Sequence, residues 1–245
     1  MPKILILGAT SAIAQATARV FATEGAAFCL VGRGAERLEI VAQDLTARGA
    51  AETFCLEADL SDCEGHLELI QRADARLGGL DLALIAHGTL GDQAAGQADF
   101  SIALKELQTN FLSAVSLLTH LANLLEPRGR GALVAISSVA GDRGRQSNYI
   151  YGAAKGGLSI FLQGLRNRLA PAGVRVLTVK PGFVDTPMTA AFNKGLLWVG
   201  PEVIATCIHR GLAKGREVVY APWFWRYIML VIRAIPERFF KRLKL

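Results

Sequence analysis

Ile4-Leu5-Ile6-Leu7-Gly8-Ala9-Thr10-Ser11-Ala12-Ile13-Ala14 is the stretch whose reading decides the fold. Four consecutive aliphatic residues mark a strand covered on both faces, as in a parallel sheet between layers of helices. Gly8 follows the strand directly, and apolar residues then recur at helical spacing through Ile13, Val20 and Phe21. A strand, a glycine turn and a helix N-terminus together aim free backbone N–H groups and the positive end of the helix dipole at one point, where a pyrophosphate can sit. The motif is thin in glycine, because alanines stand at positions 12 and 14 of what would otherwise be a G-x-x-x-G-x-G loop.

Outward from this stretch the same alternation continues. Apolar runs at residues 4–7, 27–31, 53–56, 80–86, 132–137, 174–179 and 218–220 read as strands, and segments such as 37–48, with Leu38, Val41 and Leu45 before Gly49, read as helices. The βαβα order predicts an α/β, doubly wound Rossmann fold: about seven parallel strands with helices on both faces and a ligand crevice at the strands' carboxyl ends. Residues 1–220 form the dinucleotide-binding and catalytic unit in this reading. Residues 221–245 form a tail with no domain of its own, since no linker, repeat or second core interrupts the pattern.

Composition narrows the function. Of 245 residues 51% are hydrophobic and 20% charged, which excludes a disordered chain. Cys29, Cys55, Cys63 and Cys207 are scattered without a C-x-x-C pair, and the four histidines show no ligand spacing, so no metal site is expected. The N-terminus lacks a signal-like apolar segment and no run approaches the roughly 20 residues that span a bilayer, which predicts a cytoplasmic protein. The net charge of +6 sits almost wholly in the tail: from Arg226 onward six cations, Lys244 among them, face one carboxylate, Glu237. The remainder is near neutral, so nucleic acid is not an expected partner.

Two ends of the crevice can be assigned. The second strand runs into Leu30-Val31-Gly32-Arg33 with no carboxylate at its tip to hold a ribose diol, whereas a guanidinium forks onto a 2′-phosphate; Arg33 therefore favours NADP over NAD. Asp59, after the third strand, is either an adenine contact or the start of the next helix. At the chemical end, Tyr151 and Lys155 lie four apart within a predicted helix over 149–169 and share one face. A nearby ammonium is expected to lower the phenol by about two units, from an unperturbed pKa of about 10, toward general acid and base work. Ser138 follows a strand end, where its hydroxyl can bond a substrate oxygen as charge develops.

These residues together resemble the short-chain dehydrogenase/reductase family. The likeness is carried by Gly8-Ala-Thr-Ser, Val31-Gly-Arg33, Ala58-Asp59-Leu60, Leu107-Gln-Thr-Asn110, Ile136-Ser-Ser138, Tyr151-Gly-Ala-Ala-Lys155 and Pro181-Gly-Phe-Val-Asp-Thr186. The resemblance implies an NADP-dependent enzyme acting on CH–OH or C=O groups, with Tyr151 as acid/base, Lys155 tuning it while holding the nicotinamide ribose, Ser138 positioning the reacting oxygen and Asn110 anchoring a water-mediated proton path. It implies cofactor contacts from Gly8, Thr10, Ser11, Ile13, Arg33, Asp59, Leu60, Ala86, Gly88, Tyr151, Lys155, Pro181, Gly182, Val184 and Thr186. It also implies a homo-oligomer, with helical faces at 99–125 and 149–169 pairing two subunits. The family's usual Asn-Asn-Ala-Gly is replaced here by Ile85-Ala-His-Gly88, where His87 is read as packing or bonding locally.

After Tyr220, aromatics and aliphatics interleave with cations (Pro222-Trp-Phe-Trp-Arg-Tyr-Ile-Met-Leu-Val-Ile-Arg233). Such a segment suits a membrane interface, peripheral to the inner face, and equally a helix packed on its own domain or on a partner subunit. Met188, Phe192, Leu196, Leu197 and Trp198 are expected to form a mobile apolar lid over the substrate. Tail and lid look like the branch of the family that reduces keto sugars carried on polyprenyl phosphate, which implies a hydrophobic or lipid-linked substrate; an ordinary small ketone is the alternative. A non-catalytic NADP-binding sensor and a membrane-associated scaffold are the competing readings from other classes.

Overall fold

A computed structural model describes residues 1–243; the last tail cation, Lys244, and Leu245 lie outside the described residues. Strands β1 (Lys3–Leu7), β2 (Ala27–Gly32), β3 (Glu52–Glu57), β4 (Leu82–Ile85), β5 (Ala132–Ile136), β6 (Arg175–Pro181) and β7 (Val218–Ala221) form one sheet in the order β3-β2-β1-β4-β5-β6-β7. Every neighbouring pair is parallel, with Leu7 of β1 in register with Val31 on one side and Ile85 on the other. The doubly wound α/β fold expected from the apolar runs is thus present, and the strand order reverses between β1 and β4, which places the crevice beyond their carboxyl ends.

Two helical layers explain why the strands are apolar throughout. On one face α1 (Ala12–Ala22), α2 (Ala35–Ala47) and α8 (Pro201–Ala213) cover Ile4 and Ile6; on the other, α3 (His66–Leu77), α6 (Ser113–Leu125) and α7 (Tyr149–Leu169) cover Leu5 and Leu7. Side chains alternate across a strand, so a sheet with two covered faces needs an aliphatic at every position. Leu117, Leu118, Leu121 and Leu125 of α6 are fully buried, each contributing about 1.5–3 kcal/mol of transfer free energy.

The short helices α4 (Gln93–Ala98) and α5 (Phe100–Leu107) precede α6, and a π turn at Gln108–Leu112 joins α5 to α6. After β7 come α9 (Trp225–Ala234) and α10 (Glu237–Phe240). Trp225 and Met229 are buried against Val139 on the body of the protein, whereas Trp223, Tyr227, Leu230 and Val231 face outward. Arg143 clamps this segment: its guanidinium donates to the carbonyls of Ile232, Arg233 and Ile235, pairs with Glu237 at 2.8 Å and lies 3.9 Å from the centre of the Phe240 ring. No helix among the described residues is long and apolar enough to cross a membrane.

Candidate active site

One cleft of about 810 Å³ opens at the strand ends, and every residue that the sequence assigned to cofactor or chemistry lines it. At its β1–β2 side Gly8, with φ at +90°, turns the chain so that its own N–H and that of Ala9 both donate to Val31. Thr10, Ser11 and Ile13 then bring the N-terminus of α1 to the cleft, and Ala12 lines it while Ala14 packs into the core. Ser11 makes no side-chain cap, which leaves the first-turn amides of this helix open to an anion. Arg33 stands at the tip of β2, largely exposed and 3.8 Å from Asp59. An exposed pair at that distance contributes at most about 1 kcal/mol, so Asp59 does not withhold the guanidinium from a phosphate. Asp59 caps a tight turn by accepting from the Ser61 amide at 2.9 Å, which holds its carboxyl below the usual range; the next helix begins only at His66. Leu60 is buried beside it, and Ala86 continues the sheet through a bond to Leu7.

The chemical side is built around α7. Ser137 donates to the Lys155 carbonyl at 2.9 Å and bonds Ser159 at 2.8 Å, tying β5 to α7. Ser138 caps the short turn Val139–Asp142 through the Ala140 amide. Gly141 lets that turn lie directly on α7, since a Cβ there would come within 2.6 Å of the Gly156 nitrogen. Asp142 in turn accepts from the Tyr220 hydroxyl at 2.7 Å and pairs with Lys180. Tyr151 is half-buried, with the Ser138 hydroxyl near enough to influence its phenol. Lys155 is buried, with Nζ donating to the Ile136 carbonyl at 3.1 Å and lying 5.8 Å from the centre of the Tyr151 ring. Asn110 sits in the π turn, 1% exposed, accepting from the Thr89 amide and donating to its hydroxyl. Gly88 separates Asn110 from Lys155: a Cβ there would stand 2.6 Å from the Asn110 carbonyl oxygen and 3.5 Å from Lys155 Nζ. On the far wall Pro181 ends β6, Gly182 donates to Ala221, Val184 bridges to Val199, and Thr186 opens the turn Pro187–Thr189.

The electrostatics correct one expectation. Burial pushes the Tyr151 phenol up to about 12; the Ser138 hydroxyl opposes this and the Glu106 carboxyl adds to it. Lys155 does not produce the expected depression, because burial lowers its own pKa to about 8 and its Nζ is turned toward Ile136. His87 bonds Ser113 at 2.7 Å and burial drops it to about 3, so it is neutral. Ser113 already donates to Thr109, so His87 Nε2 carries the proton and Nδ1 is a lone-pair acceptor.

The lid also differs from expectation. Met188, Phe192 and Trp198 line the cleft, with Trp198 stacked on Phe183 at 5.3 Å. Leu196 and Leu197 are exposed to solvent, and Lys194 pairs with Asp185 at 2.6 Å in the same loop. Among the cleft residues that the sequence reading missed are Gln93, Glu106, Arg145 and Asn148. Nothing in their local spacing marks them. Trp225 was read only as part of the tail, yet its indole occupies the space beside Gly182 that a Cβ would need.

The residues present fit a dinucleotide. The uncapped amides of α1 suit a pyrophosphate, and the buried Lys155 ammonium keeps protons for ribose hydroxyls beyond its bond to Ile136. Comparison with known proteins agrees with this geometry. A family model described as short chain dehydrogenase matches residues 2–196. An uncharacterized oxidoreductase of Mycobacterium tuberculosis is 39% identical over 240 residues, covering 98% of this chain and 96% of that protein. A Streptomyces coelicolor oxidoreductase, also uncharacterized, is 39% identical over 241 residues, covering 98% and 95%. Among solved structures, a short-chain dehydrogenase from Sphingobium yanoikuyae in complex with NADPH superposes with a TM-score of 0.83 at 25% identity, covering 97% of each chain. An NAD+-bound xylitol dehydrogenase shares the fold at a TM-score of 0.71 and 24% identity, covering 75% of this chain and 71% of that one. On the family match and on relatives similar along nearly its whole length, this chain belongs to the short-chain dehydrogenase family of oxidoreductases.

Proposed function

We propose that this protein transfers hydride between NADP(H) and a carbonyl or alcohol carbon, with Tyr151 exchanging the proton on the reacting oxygen. The observation that carries the reading is the convergence of Ser138, Tyr151 and Lys155 in the same cleft as the open N-terminus of α1 and Arg33. When bound, the nicotinamide supplies or takes up the hydride. Ser138 holds the substrate oxygen within reach of the Tyr151 hydroxyl, whose protonated form at neutral pH suits proton donation to a nascent alkoxide. Lys155, when charged, stabilises the phenolate left behind. The preference for NADP rests on Arg33 and is supported by the NADPH complex of the Sphingobium relative.

The apolar wall of Phe183, Met188, Phe192 and Trp198 supports a substrate with a hydrophobic part, including a lipid-linked carbonyl. The exposed Trp223, Tyr227, Leu230 and Val231, flanked by Arg226, Arg233, Arg238, Lys241 and Arg242, support a place for α9 on an anionic membrane surface. Exposed Phe100, Leu104 and Ile160 on α5 and α7 support a second copy of the chain as partner, which sedimentation equilibrium would reveal as a dimer or tetramer; a monomer throughout would contradict it.

Two substitutions separate chemistry from cofactor choice. Tyr151→Phe should lower carbonyl reduction by at least about 10²-fold and leave NADPH affinity unchanged; undiminished turnover would refute the assignment, and NADPH binding without turnover of any carbonyl by the unsubstituted protein would favour a sensor. Arg33→Ala should weaken NADPH by about ten- to a hundredfold, the worth of a charged hydrogen bond, and NADH little; equal losses would refute the phosphate contact. For the tail, replacing Trp223, Tyr227 and Leu230 together by serine spares the buried Trp225 and Met229. It should abolish co-sedimentation with phosphatidylglycerol vesicles while activity on a small ketone persists; unchanged vesicle binding would show that this face is not the contact.

A further inference from the structure

Six buried side-chain nitrogen or oxygen atoms among the described residues have no hydrogen-bond partner, and all but Trp225 Nε1 belong to residues lining the one cleft: His87, Gln93, Glu106, Arg145 and Asn148. Folded proteins leave few such atoms, and a cluster of them in one crevice marks groups awaiting a polar ligand. Arg145 is the charged member. Its Nε is buried, and no carboxylate of the described residues comes within 4.0 Å of its guanidinium. Glu106, buried in the same cleft, is not an ion-pair partner of Arg145, and burial raises its pKa. Burial also lowers the proton affinity of Arg145, with no anion to offset it. A guanidinium nevertheless stays charged, and with Arg145 half-buried and its Nε out of water, a charge left partly desolvated and unpaired is unfavourable.

We infer that Arg145 is the anion-binding residue of the substrate half of the cleft, and that the carbonyl substrate bears a carboxylate or a phosphate. Placement sets Arg145 apart from the expected dinucleotide phosphates. The pyrophosphate site at α1 and the Arg33 tip lie on the β1–β2 side of the crevice, whereas Arg145 lies between the Ser138 turn and the start of α7, on the β5 side. Its neighbours in the sequence and in the cleft are arranged to help. Asn148, the residue before α7, caps nothing with its side chain, and its unpartnered Oδ1 is an acceptor for a hydroxyl or N–H of the ligand and not for the anion itself. Gln93 accepts from the Ile150 amide at 3.1 Å through its oxygen, which turns its unpartnered amide nitrogen away as a further donor. Arg145 and Tyr151 line the same cleft, so an anion held here orients the carbonyl as well as selecting it. The apolar wall of Met188 and Phe192 completes an amphiphilic site.

This inference rests on the carbonyl-reductase reading, and the test keeps the two apart. Two matched pairs of ketones serve as probes: 4-acetylbenzoate against its methyl ester, and 4-acetylphenyl phosphate against 4-hydroxyacetophenone. Binding to the NADP+-loaded protein is measured by calorimetry, and reduction by NADPH oxidation. At least one anionic probe should bind about ten- to a hundredfold more tightly than its neutral partner, and the probe that does so identifies carboxylate or phosphate as the group. Arg145→Gln should erase that preference, Arg145→Lys should restore part of it, and NADP+ affinity should stay unchanged in both. No preference in the unsubstituted protein, a preference that survives Arg145→Gln, or loss of NADP+ binding in that variant would each overturn the role given to Arg145. Selective binding of an anionic probe that is never reduced would leave the anion site standing and refute the reductase reading instead.

Discussion

Lys155 puts an ammonium where water scarcely reaches, with one backbone carbonyl, that of Ile136, as its hydrogen-bond acceptor within the protein. Desolvation on that scale opposes charge, and it lowers the lysine to about 8. Most of the surrounding structure serves to hold the group there regardless. Ser137 fixes the backbone of Lys155 to β5, and Gly141 brings the Ser138 turn onto the helix at Lys155 and Gly156. Gly88 leaves room for the Asn110 amide to approach. A side chain held near its charge-neutral point, one helical turn from a phenol raised to about 12, makes the proton on that phenol sensitive to what else enters the cleft.

The same turn connects chemistry to the C-terminal segment. Ser138 begins it, Asp142 ends it on Lys180 and Tyr220, and the following residue, Arg143, grips the carbonyls at the end of α9. Trp225 lies against Gly182 in the loop that walls the cleft. The end of α9 is therefore tied to the body through the residue that directly follows the Ser138 turn.

The strands were legible because a sheet covered on both faces demands aliphatics at successive positions, and residues 4–7 or 132–136 have no other economical reading. The Tyr151 and Lys155 pair was legible because helical spacing alone puts both on one face. The π turn at Gln108–Leu112, with Asn110 as its buried residue, was not, since its sequence is ordinary for a helix. Arg145, Glu106 and Gln93 were invisible for a related reason: they reach the cleft from separate loops and helices, and only the tertiary fold shows that their polar atoms are buried without partners. The direction of the Tyr151 shift was misjudged because spacing reports proximity and not desolvation, and here desolvation is the larger effect.

The pH dependence of kcat/KM for carbonyl reduction tests the central claim most directly, because it reports groups of the free enzyme. If the buried Lys155 must carry its charge to support Tyr151, the profile should fall with a midpoint near 8. Unfolding does not confound the measurement: between about 8 and the ordinary lysine value of 10.5 the unfolded chain binds the additional proton, so this group makes the fold more stable as pH rises. A profile that stays level to about pH 10, where an unperturbed lysine titrates, would contradict the account.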